Sequence, residues 1–181
     1  MILTDREIKI ALEKGQITID PLPDEATSYQ STAVDLTLSP IVRLFKKAAS
    51  GIHFDPGSEE YDYKEVIDMV TTRKELTDSF TLSPKMLLLA WTRETINIPT
   101  NSRLAARVEG RSSLSRIGVS VHLTAPTIHA GFSGPLQLEI VNHGLTPVIL
   151  RPGMRICQLI FEMTFGTPAK GYSGQFLGQQ A

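Results

Sequence analysis

Apolar and polar residues alternate in short runs through the second half of the chain. Between residues 79 and 163 these runs recur every roughly 8 to 12 residues and are separated by Gly, Pro and Asn. The run at 86–91 is almost wholly apolar, as expected of a strand buried on both faces. Residues 46–65 mix Gly, Pro, Ser and charge, which predicts a surface excursion. The pattern as a whole predicts a mainly β domain, either a barrel, a sandwich or a jelly roll.

The first 45 residues predict one short helix followed by brief strands. Thr4 and Glu7 have the spacing of a capping box, apolar residues follow from Ile8, and Gly15 can end the helix in a left-handed conformation. Two β-prone runs, "AVDLTLS" and "IVRLF", follow and are separated by Pro40.

The segment "GPLQLEIVN", residues 134–142, has the alternation of a half-buried strand. One face would carry Leu136, Leu138 and Ile140. The other face would carry Gln137, Glu139 and Val141. A glutamate in phase with a glutamine usually lies on the solvated face of such a strand. From alternation alone, Glu139 is therefore interpreted as a surface residue, and a functional role needs support from other segments.

The composition of the chain limits the classes of function that it can have. A chain of 181 residues with 41% hydrophobic residues suits one globular domain, residues 1–181. The formal net charge of -1 provides no basic field for DNA or RNA. The single cysteine, Cys157, allows no disulfide and no cysteine-rich zinc site within one subunit, which fits the cytoplasm. No window approaches the roughly 18 apolar residues of a membrane span, so we expect a protein without a membrane anchor.

The segment "EGRSSLSRIG", residues 109–118, interrupts the β pattern and predicts a turn of helix. Arg111, Ser112, Ser113 and Arg116 would then gather hydroxyls, guanidinium groups and free backbone N–H groups, which together can bind an anion. A polar surface turn with a capping serine explains the same spacing equally well. Two histidines, at 122 and 129, have no further ligands at a recognisable spacing, so no protein-bound metal is assigned.

Several motifs in order resemble the dCTP deaminase branch of the dUTPase superfamily. They are "LTDREIKIALEKGQITIDPL", "SYQSTAVDLTL", "EGRSSLSRIG", "VHLTA", "AGFSGPLQLEI", "LRPGMRICQLIF" and "GYSGQFLGQ". The resemblance implies a distorted β-barrel or jelly-roll-like dUTPase fold with a short N-terminal helix and a few other short helices. It also implies a homotrimer with active sites between adjacent subunits. Residues 168–181 would form a flexible tail that closes over the nucleotide.

The resemblance also implies a mechanism, the hydrolytic deamination of dCTP without a metal at the base. Glu139 would move protons from water to the ring and to the departing ammonia, Ser112 would orient the water and the amino group, and Arg116 would support developing negative charge. Mg²⁺ is expected on the triphosphate, and dTTP is a possible feedback inhibitor. The residues implied to bind substrate are Arg111, Ser113, Thr124, Ala125, His129, Gln137, Leu138, Tyr172, Gln175 and Gln179.

Two positions depart from the family pattern. His129 stands where the family has an aspartate at the deoxyribose, and the matching aspartate of dUTPases assists the hydrolytic water. Gln175 stands where relatives often have a lysine facing the triphosphate. Because His129 carries no carboxylate, we expect the products to be dUTP and ammonia. Two alternatives stay open: a bifunctional enzyme that continues from dUTP to dUMP, and a regulator that binds nucleotide without turnover.

Overall fold

The computed structural model describes residues 1–47 and 52–174, and these form a mainly β fold with three short helices. The helices are α1 (Asp5–Glu13), α2 (Tyr63–Val70) and α3 (Ser112–Ser115). The strands are β1 (Thr18–Asp20), β2 (Tyr29–Gln30), β3 (Ala33–Phe45), β4 (Thr71–Glu75), β5 (Phe80–Leu82), β6 (Leu87–Asn97), β7 (Leu104–Gly110), β8 (Val119–Ser120), β9 (Thr127–Ile128), β10 (Ser133–Asn142), β11 (Val148–Leu150) and β12 (Arg155–Met163). The predicted fold class is confirmed. No helix in the described ranges is long and apolar enough to cross a membrane.

Helix α1 begins and ends where the sequence predicts. The backbone N–H of Thr4 donates to the Glu7 carboxylate at 3.3 Å, which satisfies one donor at the helix start. Ile8 and Ala11 are buried against the sheet, and Gly15 follows with a φ of 64°. The helix therefore covers one end of the core.

Ten of the described strands form one antiparallel sheet that curls around the core. Its main order is β8–β10–β6–β3–β12–β7–β9, while β1 pairs with β6, and β2 and β4 pair with β3. Strand β3 bends the sheet, because its first half pairs with β12 and its second half with β6. Strands β5 and β11 form a separate pair.

Strand β3 continues through Pro40, although the sequence predicts two separate runs there. The register between β3 and β6 shifts between Leu38 and Val42, so Pro40 lies where the regular pairing is interrupted. Proline is tolerated at such an irregularity because its missing N–H removes no regular pairing bond. The carbonyl of Pro40 still accepts from the N–H of Leu76 at 2.8 Å.

The concave side of the sheet holds the main core. Leu36, Leu88, Leu138 and Phe161 are fully buried there. Cys157 is buried among the same residues, and its burial raises the pKa of the thiol well above its ordinary range. Cys157 is therefore a core residue.

The opposite face of β3, β6 and β10 is covered by helix α2, which the sequence did not predict. Ile67 of α2 packs on a small buried cluster of Ile41, Leu89 and Trp91. Residues 52–60, in the segment interpreted as a surface excursion, are exposed, but the end of that segment forms the first turn of α2. The helix thereby places a second layer over a face that alternation alone assigned to solvent.

Candidate active site

Glu139 lies under the second layer and faces a cavity. Strand β10 alternates as predicted, with Leu136, Leu138 and Ile140 in the core and the side chains between them half-buried on the other face. Glu139 and Gln137 both line a cavity of about 560 Å³. The interpretation from alternation alone, that Glu139 lies on a solvated surface, is wrong because α2 and the segment before β10 cover this face.

The segment between β8 and β10 forms one wall of the cavity. The backbone N–H of Leu123 points at the Glu139 carboxylate, with 3.4 Å between nitrogen and Oε2. Ala125 and His129 line the cavity from the same segment, while Thr124 is exposed and lies outside its lining. Pairing of β9 with β7 holds this segment against the sheet. The long but directed contact at Leu123 orients the carboxylate towards the wall.

The start of the C-terminal tail closes another side of the cavity. The N–H of Tyr172 donates to the carbonyl of Ala130 at 2.8 Å, and the Tyr172 ring stacks on His129 with 5.9 Å between ring centroids. Phe132 meets the same ring at 6.1 Å. Gly131 makes this approach possible, because a Cβ there would come within 2.6 Å of the Tyr172 nitrogen.

Helix α2 supplies a residue that sequence reasoning missed. The hydroxyl of Tyr63 donates to Oε1 of Gln137 at 3.1 Å, and both residues line the cavity. Burial raises the pKa of Tyr63, and the negative charge of Glu139 raises it further. The sequence does contain a signal for this helix. Asp62 is a typical N-cap residue, and Tyr63 and Ile67 follow it four residues apart, which places them on one helix face.

The serine–arginine segment lies on a different surface of the same subunit. Ser112 and Ser113 open the short helix α3, Arg116 follows it, and all three are exposed and absent from the cavity lining. Within one subunit, the structure therefore does not bring Ser112 or Arg116 to Glu139.

Arg111 is directed towards a buried carboxylate that the sequence analysis did not single out. Its guanidinium lies 3.3 Å from Oδ2 of Asp35, which is 1% exposed, and Arg155 approaches the same oxygen at 3.6 Å. Burial raises the pKa of Asp35, while the two guanidinium groups act in the opposite direction. The signal that could have revealed Asp35 was a lone acid within the apolar run "AVDLTL".

The remaining predicted site residues are placed as follows. The side chain of Leu138 is fully buried in the core, so only its backbone can contact a ligand. Gln175 and Gln179 lie outside the described residues. None of the described residues gathers into a group of three or more His, Cys, Asp or Glu side chains placed to hold a metal ion.

Comparison with known proteins identifies the family. A model described as dCTP deaminase-like matches residues 2–164. The chain belongs to the dCTP deaminase-like family. A protein of Methanobrevibacter smithii named "dCTP deaminase, dUMP-forming" is 43% identical over 93% of this chain and 83% of its own length. A protein of Natronomonas pharaonis named "dCTP deaminase" is 41% identical over 89% of this chain and 80% of its own length. The predicted family is confirmed.

Solved structures support the fold. The 2'-deoxycytidine 5'-triphosphate deaminase of Agrobacterium tumefaciens superposes with a TM-score of 0.68 at 21% identity, over 90% of this chain and 47% of that one. This chain thus spans about half the length of that solved chain. A mutant dUTPase of the Staphylococcus aureus phage phi11 gives a TM-score of 0.52 at 11% identity, over 87% and 97% of the two chains. At these identities the likeness concerns the fold, and it agrees with the predicted dUTPase-like architecture.

Proposed function

We propose that this chain catalyses the hydrolytic deamination of dCTP, with Glu139 as the group that transfers protons. The observation that carries this proposal is a half-buried glutamate that faces a 560 Å³ cavity in a member of the dCTP deaminase-like family. A cavity of this size, with apolar walls and a few polar groups, suits a small ligand such as a nucleotide base and sugar.

The chemistry needs one carboxyl group to act as base and then as acid. Water adds to C4 of cytosine while Glu139 accepts its first proton and passes it to N3. The carboxylate then takes the second proton from the new 4-hydroxyl group and gives it to the amine, as the C4–N bond breaks and the 4-carbonyl forms. The reaction consumes one water and releases one ammonia, leaving a uracil nucleotide. The N–H of Leu123, at 3.4 Å from Oε2, supports this role because it orients the carboxylate at the cavity wall.

We propose that a second subunit completes the site. Ser112 and Arg116 are exposed in the subunit described, and a neighbouring copy that presents them to the cavity would add a hydroxyl for the water and a cation for developing negative charge. A closed homotrimer, as the family resemblance implies, would give every cavity one such neighbour. The exposure of both side chains supports this arrangement, and light scattering tests it.

We propose that the nucleotide is bound by groups from four segments. Ala125 and the backbone around Gln137 and Leu138 would meet the base, His129 would meet the sugar, and Tyr172 would close the site, while Thr124 lies outside the cavity lining of this subunit. Arg111 and Ser113 of a neighbour would meet the triphosphate, with Gln175 and Gln179 from the tail. Mg²⁺ would arrive on the phosphate oxygens, where it neutralises charge.

The names of the relatives favour dUMP as the end product. Proteins of Methanobrevibacter smithii, Methanosphaera stadtmanae, Methanothermobacter thermautotrophicus and Dictyoglomus thermophilum, 36–43% identical to this chain, are each named "dCTP deaminase, dUMP-forming". The sequence alone favours dUTP as the product, because His129 replaces an aspartate. An imidazole can also accept a proton from water, so the replacement keeps a base at the cavity wall. We therefore propose that the chain continues from dUTP to dUMP and pyrophosphate.

Product analysis tests both parts of the proposal. Purified protein is incubated with Mg²⁺ and either dCTP or dUTP, and ammonia, dUTP, dUMP and pyrophosphate are quantified by ion chromatography. We expect ammonia and dUMP in equal amounts from dCTP, and dUMP from dUTP. Ammonia with dUTP as the only nucleotide product would refute the second step and leave the first. Tight binding of dCTP without ammonia would leave only a nucleotide-binding regulator.

A further inference from the structure

A tyrosine of helix α2 is hydrogen-bonded to an amide of the cavity wall. The hydroxyl of Tyr63 donates to Oε1 of Gln137 at 3.1 Å, and Gln137 lies two residues before Glu139 on the same face of β10. Residues two apart on a strand are separated by about 7 Å, so the amide and the carboxylate present neighbouring polar groups to one ligand. Both side chains line the same cavity.

Helix α2 is fixed on the sheet, so the hydroxyl is held in place. The Asp62 carboxylate caps the helix by accepting from the N–H groups of Lys64 and Glu65 at 2.7 and 3.1 Å. At the other end, Arg43 of β3 pairs with Asp68, with 2.6 Å between Nη1 and Oδ1. Ile67 anchors the middle of the helix in the cluster with Leu89 and Trp91.

The orientation of the Gln137 amide follows from this contact. A carboxamide has one end that accepts hydrogen bonds and one that donates, and the Tyr63 hydroxyl, which can do either, pairs with the oxygen in this structure. Because the Tyr63 hydroxyl occupies Oε1, the donating Nε2 is the end left for a ligand in the cavity. Without Tyr63 the amide could rotate and present either end.

The resulting pair of groups matches cytosine better than uracil. Gln137 offers a donor and Glu139 an acceptor, in that order along β10. The edge of cytosine offers acceptors at O2 and N3 and a donor at the 4-amino group, whereas uracil carries a proton on N3 and an acceptor at O4. With Glu139 at the 4-position, as the proposed reaction requires, a donor beside it meets N3 of cytosine, whereas uracil would bring its N3–H to that donor and its O4 to the carboxylate. A rotated amide could accept from the N3–H of uracil.

We propose that Tyr63 is a positioning residue that fixes the Gln137 amide with its nitrogen towards the base and so favours cytosine over uracil nucleotides. This inference rests on the proposed function, because it takes the cavity as the pyrimidine site. Helix α2 would thereby contribute to the substrate specificity of the site, although none of the residues of α2 contacts the reacting atoms.

The first test compares Tyr63→Phe with Tyr61→Phe, which removes a hydroxyl two residues earlier and outside the cavity lining. The KM for dCTP reports on cytosine binding, and the inhibition constant of α,β-imido-dUTP against ammonia release reports on uracil binding. In Tyr63→Phe we expect the KM for dCTP to rise about 3- to 10-fold, which corresponds to the free energy of one hydrogen bond. We expect kcat to change less than about twofold. The uracil inhibition constant should change less than about twofold, and Tyr61→Phe should match the wild type.

A double-mutant cycle tests whether Tyr63 acts through Gln137. Gln137→Met removes the amide at similar length, so the cytosine-to-uracil preference should fall as in Tyr63→Phe, and the double variant should show no further loss. An unchanged preference in Tyr63→Phe, equal weakening of both nucleotides, or additive losses in the double variant would each overturn the inference. If the wild type releases no ammonia, the proposed function fails, and calorimetric affinities for dCTP and the dUTP analogue still decide the role of Tyr63.

Discussion

The contact between the C-terminal tail and the segment between β8 and β10 can be tested at Gly131. Its φ is +91°, and a Cβ there would lie 2.6 Å from the nitrogen of Tyr172 and 3.0 Å from the Cα of Gly171. Gly131→Ala therefore adds backbone strain of about 1–2 kcal/mol and also forces backbone atoms of the tail to move. The hydrogen bond from Tyr172 to Ala130 should be lost, which removes about 1 kcal/mol from tail docking.

Gly153→Ala is the matched control for this substitution. Gly153 has a φ of +78°, but a Cβ there meets no atom within 4 Å. Backbone strain alone should lower the Tm of both variants by about 2–8 °C, the equivalent of about 1–2 kcal/mol in a domain of this size, and Gly131→Ala should lose more because of its backbone clash. Only Gly131→Ala should also weaken nucleotide binding, because Tyr172 then leaves the cavity wall.

The assay is the KM for dCTP, with melting curves for the same preparations. We expect the KM of Gly131→Ala to rise about 3- to 10-fold, the equivalent of roughly 1 kcal/mol, and that of Gly153→Ala to stay at the wild-type value. Equal KM values in the two variants would show that the docked tail makes no contribution to binding, and the role proposed for Tyr172 would be abandoned.

Three further predictions follow. Mixing inactive Glu139→Gln and Arg116→Ala subunits after reversible dissociation should restore about a quarter of wild-type sites, since random trimers pair the intact groups with that frequency; no recovery would contradict shared sites. Cys157 is fully buried with a raised thiol pKa, so labelling by a disulfide reagent should require unfolding, and rapid native labelling would contradict the core assignment. Leu138→Ala should cost about 2–5 kcal/mol in denaturant unfolding, whereas an effect on KM without loss of stability would place that side chain in the site.

Local sequence patterns were sufficient to predict the elements that are determined by interactions between residues close together in the chain. The capping box predicted α1, and the alternation of 134–142 predicted which residues of β10 enter the core. Pro40 led to a wrong break in β3, because the sequence does not show where the register with β6 shifts. A proline is compatible with a strand at such a shift, and only the pairing partner reveals it.

The candidate site was less predictable because it depends on which elements lie over one another. Glu139 looked solvated on its strand, and only the packing of α2 across β6 and β10 turns that face into a cavity wall. Tyr63 was missed for the same reason, since it follows a turn-rich segment and contacts a residue 74 positions away. The separation of Ser112 from Glu139 likewise depends on the sheet order and could not be read from spacing.

The central claim is that Glu139 moves the protons of a cytosine deamination, and ammonia release at saturating dCTP tests it most directly. Glu139→Gln keeps an oxygen to accept the Leu123 N–H but cannot carry a proton. We predict that the wild type releases one ammonia per dCTP consumed, and that kcat falls about 100- to 10,000-fold in Glu139→Gln with melting temperature and dCTP affinity nearly unchanged. Ammonia release at the wild-type rate from a correctly folded Glu139→Gln variant would contradict the account.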